Sequence, residues 1–281
     1  TTPPQDDPPP QDDGGDPADD TPAGPETGLF PPVTDLTAPG PYTPVTVSNT
    51  GPGGNYSLYH PEELAPDGVL NPIVGWGSGG STNPSWYTLL PHLASHGFVV
   101  IGSNSIPGIG GEVGQGQELV AGVDWLIEEN GRAGSTFEGK LDTTRIAASG
   151  YSMGSLATFT VADDPRWVTT VHISGGLMNK ADIQKLHAPA AFICGETDIA
   201  NPNCATDFEM VSTPVFYGVI QGADHLGVML SPYMEIFRSA TTGWLRWHLM
   251  EDRTMAPDFV GPDCTLCTDS QWVVQQNALD P

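Results

Sequence analysis

Positive charge is scarce in this chain of 281 residues: nine lysines and arginines stand against 34 aspartates and glutamates, a formal charge of −25. No lysine or arginine precedes Arg132. A field of that sign repels phosphate backbones and anionic headgroups, so nucleic acid is not expected as a partner. Long hydrophobic runs are also missing, and no membrane-spanning segment is expected. Cysteine is sparse, with only Cys194, Cys204, Cys264 and Cys267. Cys264 and Cys267 form a C-x-x-C, but there is no second such pair and His248 lies sixteen residues upstream. Structural zinc is therefore set aside, and no metal or cofactor is expected. Sequence proximity favours the disulfides Cys194–Cys204 and Cys264–Cys267 in an exported protein. With three lysines in the chain, the acidity also raises adaptation to high salt or cold as an expectation.

Residues 1–27 contain no large apolar side chain, only Pro, Asp, Gly, Thr, Gln, Ala and Glu. Such a stretch has too little apolar surface to offset the entropy of ordering, so a disordered acidic spacer is predicted there. Spacers of this kind suit a secreted or surface-anchored protein, lipoproteins included. Residues 28–281 are long enough for one domain with a substantial core, expected to be a monomer.

From about residue 70 strands and helices alternate. "NPIVGWG", "GFVVIGSN", "TRIAASGYS", "WVTTVHISGG", "APAAFICGE" and "TPVFYGVIQGADH" read as strands, most of them continuous apolar runs. "NPSWYTLLPHLASH", "GQELVAGVDWLIEEN" and "SPYMEIFRSATTGWLRWHLM" carry helical spacing, with Pro91 kinking the first or marking its start. Two earlier strands, 41–49 and 55–62, flank a Gly-Pro-Gly-Gly turn. The alternation predicts an α/β fold, a mostly parallel sheet with helices on both faces. Chemistry in such sheets lies beyond the carboxyl ends of the strands.

Ser152 stands at one of those ends, in Gly150-Tyr151-Ser152-Met153-Gly154. Flanking glycines give room for a sharp strand-to-helix turn, and the Met153 N–H then faces a developing oxyanion. A serine needs a base and a carboxylate to orient that base. His225, in "QGADHLG" after the last strand, is the expected base. His187 precedes a strand and His248 lies within the closing helix, so both are read as structural. Asp198 in "CGETDIANP" is the expected acid, with Glu196 and Asp224 weighed as alternatives. The glycine-rich "VGWGSGGS" suggests Ser78 as the second oxyanion donor and Gly79 as the runner-up.

"LASHGFVVI", "LDTTRIAASGYSMGS", "GETDIANP" and "GADH" together resemble the α/β-hydrolase superfamily, more narrowly the bacterial cutinase-like polyester hydrolases and lipases. The likeness runs from about residue 70 to 250. It implies an α/β-hydrolase fold with hydrolysis of carboxylic esters, including polyesters such as cutin and, in some members, polyethylene terephthalate. The family's triad falls on Ser152, Asp198 and His225. Two departures concern the substrate. The family's aromatic residue at the second oxyanion position is replaced by Ser78 or Gly79, and its tryptophan after the next strand by Gly176. Tyr151 remains beside the nucleophile, while Trp76 or Trp86 is the candidate substitute wall, with a core role as the alternative. An ester or polyester substrate is expected. A short-chain carboxylesterase, an acyltransferase and a non-catalytic binding module are the competing readings.

Overall fold

A computed structural model describes Thr1, residues 28–106, residue 108 and residues 111–280. The predicted spacer therefore lies almost wholly outside the described residues. The chain runs β1 (Pro44–Thr50), β2 (Tyr56–Pro61), β3 (Asn71–Gly77), α1 (Leu89–Ser95), β4 (Val99–Ser103), α2 (Glu112–Gly131), β5 (Leu141–Tyr151), α3 (Met153–Thr160) and β6 (Trp167–Ile173). It continues through β7 (Ala190–Gly195), α4 (Asn201–Met210), β8 (Val215–Ile220), α5 (Met234–Met250), α6 (Ala256–Phe259), α7 (Thr265–Thr268) and β9 (Trp272–Asn277). These strands form one nine-stranded sheet in the order β1-β2-β4-β3-β5-β6-β7-β8-β9. Neighbours from β4 to β8 are parallel, while β1, β2 and β9 run antiparallel at the two edges. This is the α/β-hydrolase arrangement.

Successive strand residues point to opposite faces, so the continuous apolar strands serve two cores at once. In β3, Ile73 packs with Leu119, Val123 and Leu126 of α2. Its neighbour Val74 packs in the other core, with Leu90 and Leu93 of α1 and with Phe237 and Trp244 of α5. Full burial of Leu90 and Leu93 contributes about 2 kcal/mol each in transfer free energy. The predicted helix over 83–96 is shorter than expected: a 3-10 turn at Pro84–Trp86 precedes α1. Pro91 sits in the first turn of α1, where a missing N–H leaves no helical hydrogen bond unmade. The structure adds α4, α6, α7 and edge strand β9, none of which the sequence pattern separated from loops. The two disulfides join Cys194 to Cys204 and Cys264 to Cys267.

Among the described residues, His92 and His96 in and beside α1 and His172 in β6 are buried, and His248 in α5 is half-buried. Desolvation is the main cause that drives His92 and His172 down to about 3 and His96 and His248 down to about 4, all from an ordinary 6.5. Each stays neutral when folded but takes up a proton when unfolded below pH 6.5. Folding stability therefore falls as pH drops from 6.5 toward those lower values. We expect the melting temperature to drop steeply between pH 6 and pH 4.5. A flat profile across that interval would count against neutral burial.

Candidate active site

β5, β7 and β8 end on the same edge of the sheet because they are parallel, and the loops that follow them meet there. Ser152 directly follows β5 and caps α3 with φ 53° and ψ −118°, a left-sided backbone that L-residues rarely adopt. Its N–H donates to the Ile173 carbonyl at 2.9 Å, which fastens the turn to β6. The flanking glycines answer to packing. A Cβ at Gly150 would overlap the Gly154 backbone, and one at Gly154 would overlap the Gly77 carbonyl. Strand β3, strand β5 and helix α3 approach too closely there for any side chain. Gly154→Ala is expected to cost about 3 kcal/mol of stability by overpacking. By displacing the 77–80 loop it is also expected to lower kcat about 100-fold. Thermal melts and ester-hydrolysis rates would check both, and wild-type values for either would remove this packing argument.

Ser152 Oγ lies 2.9 Å from His225 Nε2, and His225 Nδ1 lies 2.7 Å from Asp198 Oδ1. An ionised carboxylate only accepts, so Nδ1 carries the hydrogen and Nε2 is left to accept the serine proton. Asp198 is buried, and the Ala200 N–H donates to the same Oδ1 at 2.8 Å. Burial is the largest influence on Asp198 and opposes its charge. Hydrogen bonds from His225 and the Ala200 N–H outweigh it and hold the carboxyl below its ordinary value. The alternatives are engaged elsewhere: Glu196 accepts from the Gly222 N–H and Asp224 from the Leu226 N–H. His187 Nδ1 faces the Ala162 carbonyl, and His248 packs against Trp244 and Trp247.

Among the candidate oxyanion donors, the Met153 N–H begins α3 and has no partner among the described hydrogen bonds. The Ser78 N–H is likewise free there, while its carbonyl accepts from Gln115 Nε2 at 2.7 Å and so ties the loop to α2. Gly79 is corrected: its N–H donates to Tyr87 Oη at 2.8 Å, and a Cβ would stand 2.6 Å from the Tyr151 ring. It is a packing residue with no free donor.

The remaining substrate expectations change for reasons of depth. Trp76 is buried and stacks edge-on against Tyr87, 4.9 Å between ring centroids, so it belongs to the core. Tyr151 is also buried, and its hydroxyl donates to the His225 carbonyl at 2.6 Å. It positions the histidine loop and does not wall a substrate. Trp86 is exposed but does not line the cleft over Ser152. Gly176 does line that cleft, and a Cβ there would overlap the backbone of Asn203 and Cys204. The first turn of α4, tied back by the Cys194–Cys204 disulfide, occupies the place a larger side chain at 176 would need.

The cleft has a volume of about 210 Å³ and is bounded by Ser152, Met153, Leu156, Met178, Ile199 and His225, among others. Met178 and Ile199 are 86% and 82% exposed, an unusual display for large apolar residues. Sequence reading missed these two, Leu156 and Ser174. The available signal was an isolated apolar residue in a loop just past a strand end. Ser174 is buried at φ 49°, and both its Oγ and Asp198 Oδ2 lack a hydrogen-bond partner of good geometry. A larger hollow of about 320 Å³ around Trp125, Arg132 and Phe137 shares no residue with the cleft. Among the described residues no group of three His, Cys, Asp or Glu is placed to hold a metal, and no helix is long and apolar enough to cross a membrane.

Known proteins resemble this chain in sequence. A profile of the PET hydrolase-like family matches residues 23–271. Cutinase 1 of Thermobifida cellulosilytica is 28% identical over 157 residues, 56% of this chain and 57% of that protein. A cutinase of Thermobifida fusca strain YX is 28% identical over the same length, 56% of this chain and 50% of the relative. Cutinase est2 of Thermobifida alba is 26% identical over 146 residues, 52% of this chain and 46% of its own. The chain thus spans about half the length of the curated relatives it matches.

Proposed function

The chain belongs to the PET hydrolase-like family, and on that premise we propose that it is a serine hydrolase of carboxylic esters acting on polyesters. The observation that carries this reading is the unbroken chain of hydrogen bonds from Ser152 through His225 to Asp198, at 2.9 and 2.7 Å, under an open apolar cleft.

In this mechanism Ser152 Oγ attacks the ester carbonyl carbon while His225 Nε2 takes its proton. Asp198 holds the ring in the required tautomer and stabilises the imidazolium as it forms. The backbone N–H groups of Met153 and Ser78 receive the oxyanion, each such donor supplying about 3 kcal/mol of transition-state stabilisation. Collapse of the tetrahedral intermediate releases the alcohol, which leaves with the proton from Nε2. Water, deprotonated by the same nitrogen, then attacks the acyl-serine carbonyl and frees the carboxylic acid and Ser152. No step requires a metal or cofactor.

An extracytoplasmic setting agrees with the two disulfides, which persist in oxidising compartments. Cys194–Cys204 closes a short loop around Asp198, a constraint of about 2–3 kcal/mol on the unfolded chain. The test of the nucleophile is labelling with a fluorophosphonate followed by peptide mass spectrometry. The expected adduct is on Ser152, and its absence there would overturn the mechanism.

A further inference from the structure

The cleft over Ser152 does not end at Met178. A second hollow of about 240 Å³ adjoins it, lined by Val113, Leu156, Thr160, Leu177, Met178, Asn179 and Asp182. Leu156 and Met178 line both hollows, so the two adjoin across these side chains. We propose that the second hollow is an extension subsite for an aliphatic acyl chain whose ester carbonyl sits at Ser152. The proposal rests on Ser152 being the nucleophile.

Three features of the lining select the occupant. First, among the described residues no aromatic side chain borders either hollow apart from the His225 imidazole, so they offer no ring stacking on Phe, Tyr or Trp. Second, each polar side chain of the second hollow already holds one partner. Thr160 Oγ1 donates to the Ala157 carbonyl at 2.7 Å, Asn179 Oδ1 accepts from the Ala181 N–H at 3.2 Å, and Asp182 pairs with Lys185 at 3.1 Å. Apart from the Asn179 Nδ2 amide, no side-chain donor there is left free among the described hydrogen bonds, while Val113, Leu156, Leu177 and Met178 offer a hydrocarbon an apolar lining. Third, Val113 and Met178 stand 63% and 86% exposed, so covering them removes apolar surface from water.

The direction follows from the reaction. His225 must protonate the departing alkoxide, so the alcohol half lies on the His225 side of Ser152. His225 borders the first hollow but not the second, which opens beyond Leu156, one helical turn past the serine. The half that stays bonded to Ser152 is the one that faces it.

The test is a series of p-nitrophenyl esters from acetate to octanoate, kept below micelle-forming concentrations. Each methylene buried in the hollow is expected to raise kcat/KM about four-fold until the subsite is filled. Val113→Asp puts a charge at its edge in the first turn of α2, where an acidic residue suits the helix. That variant is expected to reduce the octanoate-to-acetate ratio of kcat/KM about ten-fold, and a ratio equal to wild type would overturn the subsite. Equal kcat/KM for acetate and octanoate in the wild type would overturn it as well, while leaving the esterase reading intact. Failure to hydrolyse any ester, with Ser152 unlabelled, would overturn the esterase reading and the subsite with it.

Discussion

Ser152→Ala is expected to reduce ester hydrolysis by roughly 10⁴- to 10⁶-fold, to the level that binding and the oxyanion donors alone sustain. The loss is large because one atom, Oγ, is both the nucleophile and the group whose proton His225 takes at 2.9 Å. Fold should survive, since alanine meets the same backbone restriction at φ 53° as serine does and buries no new polar group. Ser152→Gly separates the two roles. Glycine adopts positive φ without strain, so this variant should melt at or above the wild-type temperature, by about 1 kcal/mol, while being as inactive as Ser152→Ala. The stability gain paired with loss of turnover would mark the turn as strained for function. A Ser152→Ala protein that keeps more than about a hundredth of wild-type turnover would mean that another nucleophile does the work.

Removing the carboxylate should have the second-largest effect, and here the structure predicts an ordering of two variants. Asp198→Ala takes away the acceptor for His225 Nδ1 and leaves the Ala200 N–H without its partner. A fall in kcat of about 10⁴-fold is expected, together with a lower melting temperature. Asp198→Asn should lose less. An amide can present either its oxygen or its NH₂ to the imidazole, and the NH₂ would force the wrong tautomer. In this protein the Ala200 N–H donates to the same oxygen that His225 uses. That donor selects the amide oxygen for the histidine and directs the NH₂ toward Ser174. The tautomer is kept and only the charge that stabilises the imidazolium is lost. Measured kcat values should therefore be highest for wild type, lower for Asp198→Asn and lowest for Asp198→Ala. The reverse order of the two variants would show that the Ala200 N–H does not orient the side chain.

Some of this was legible because it is local. The run "GFVVIG" has no polar side chain, as suits a strand covered on both faces, and β4 is buried from Val99 to Ser103. β9 escaped notice for the opposite reason: it is an edge strand, with Trp272 buried and Val273 exposed, six residues long after two short helical turns. α4 follows Asp198 within three residues and contains Pro202, so its sequence reads as a loop. The order serine, acid, histidine could be read along the chain because each residue follows its own strand, and parallel strands deliver those ends to one edge.

Sequence by itself determined the fold class, the family likeness, the cysteine pairs to expect and the three residues that now stand within hydrogen-bonding reach. Those depend on spacing within one strand, one turn or one short loop. Only tertiary structure decided how deep each aromatic lies and what fills the space beside Gly176. Trp76 and Tyr151 are flanked by the same glycine-rich chemistry as a substrate wall would be, yet both are covered by packing from Tyr87 and the histidine loop. The space at Gly176 is set by Asn203 and Cys204, which arrive from another strand's loop. Periodicity reports which face a side chain takes; how far it is buried depends on segments distant in sequence, and so does the shape of the site.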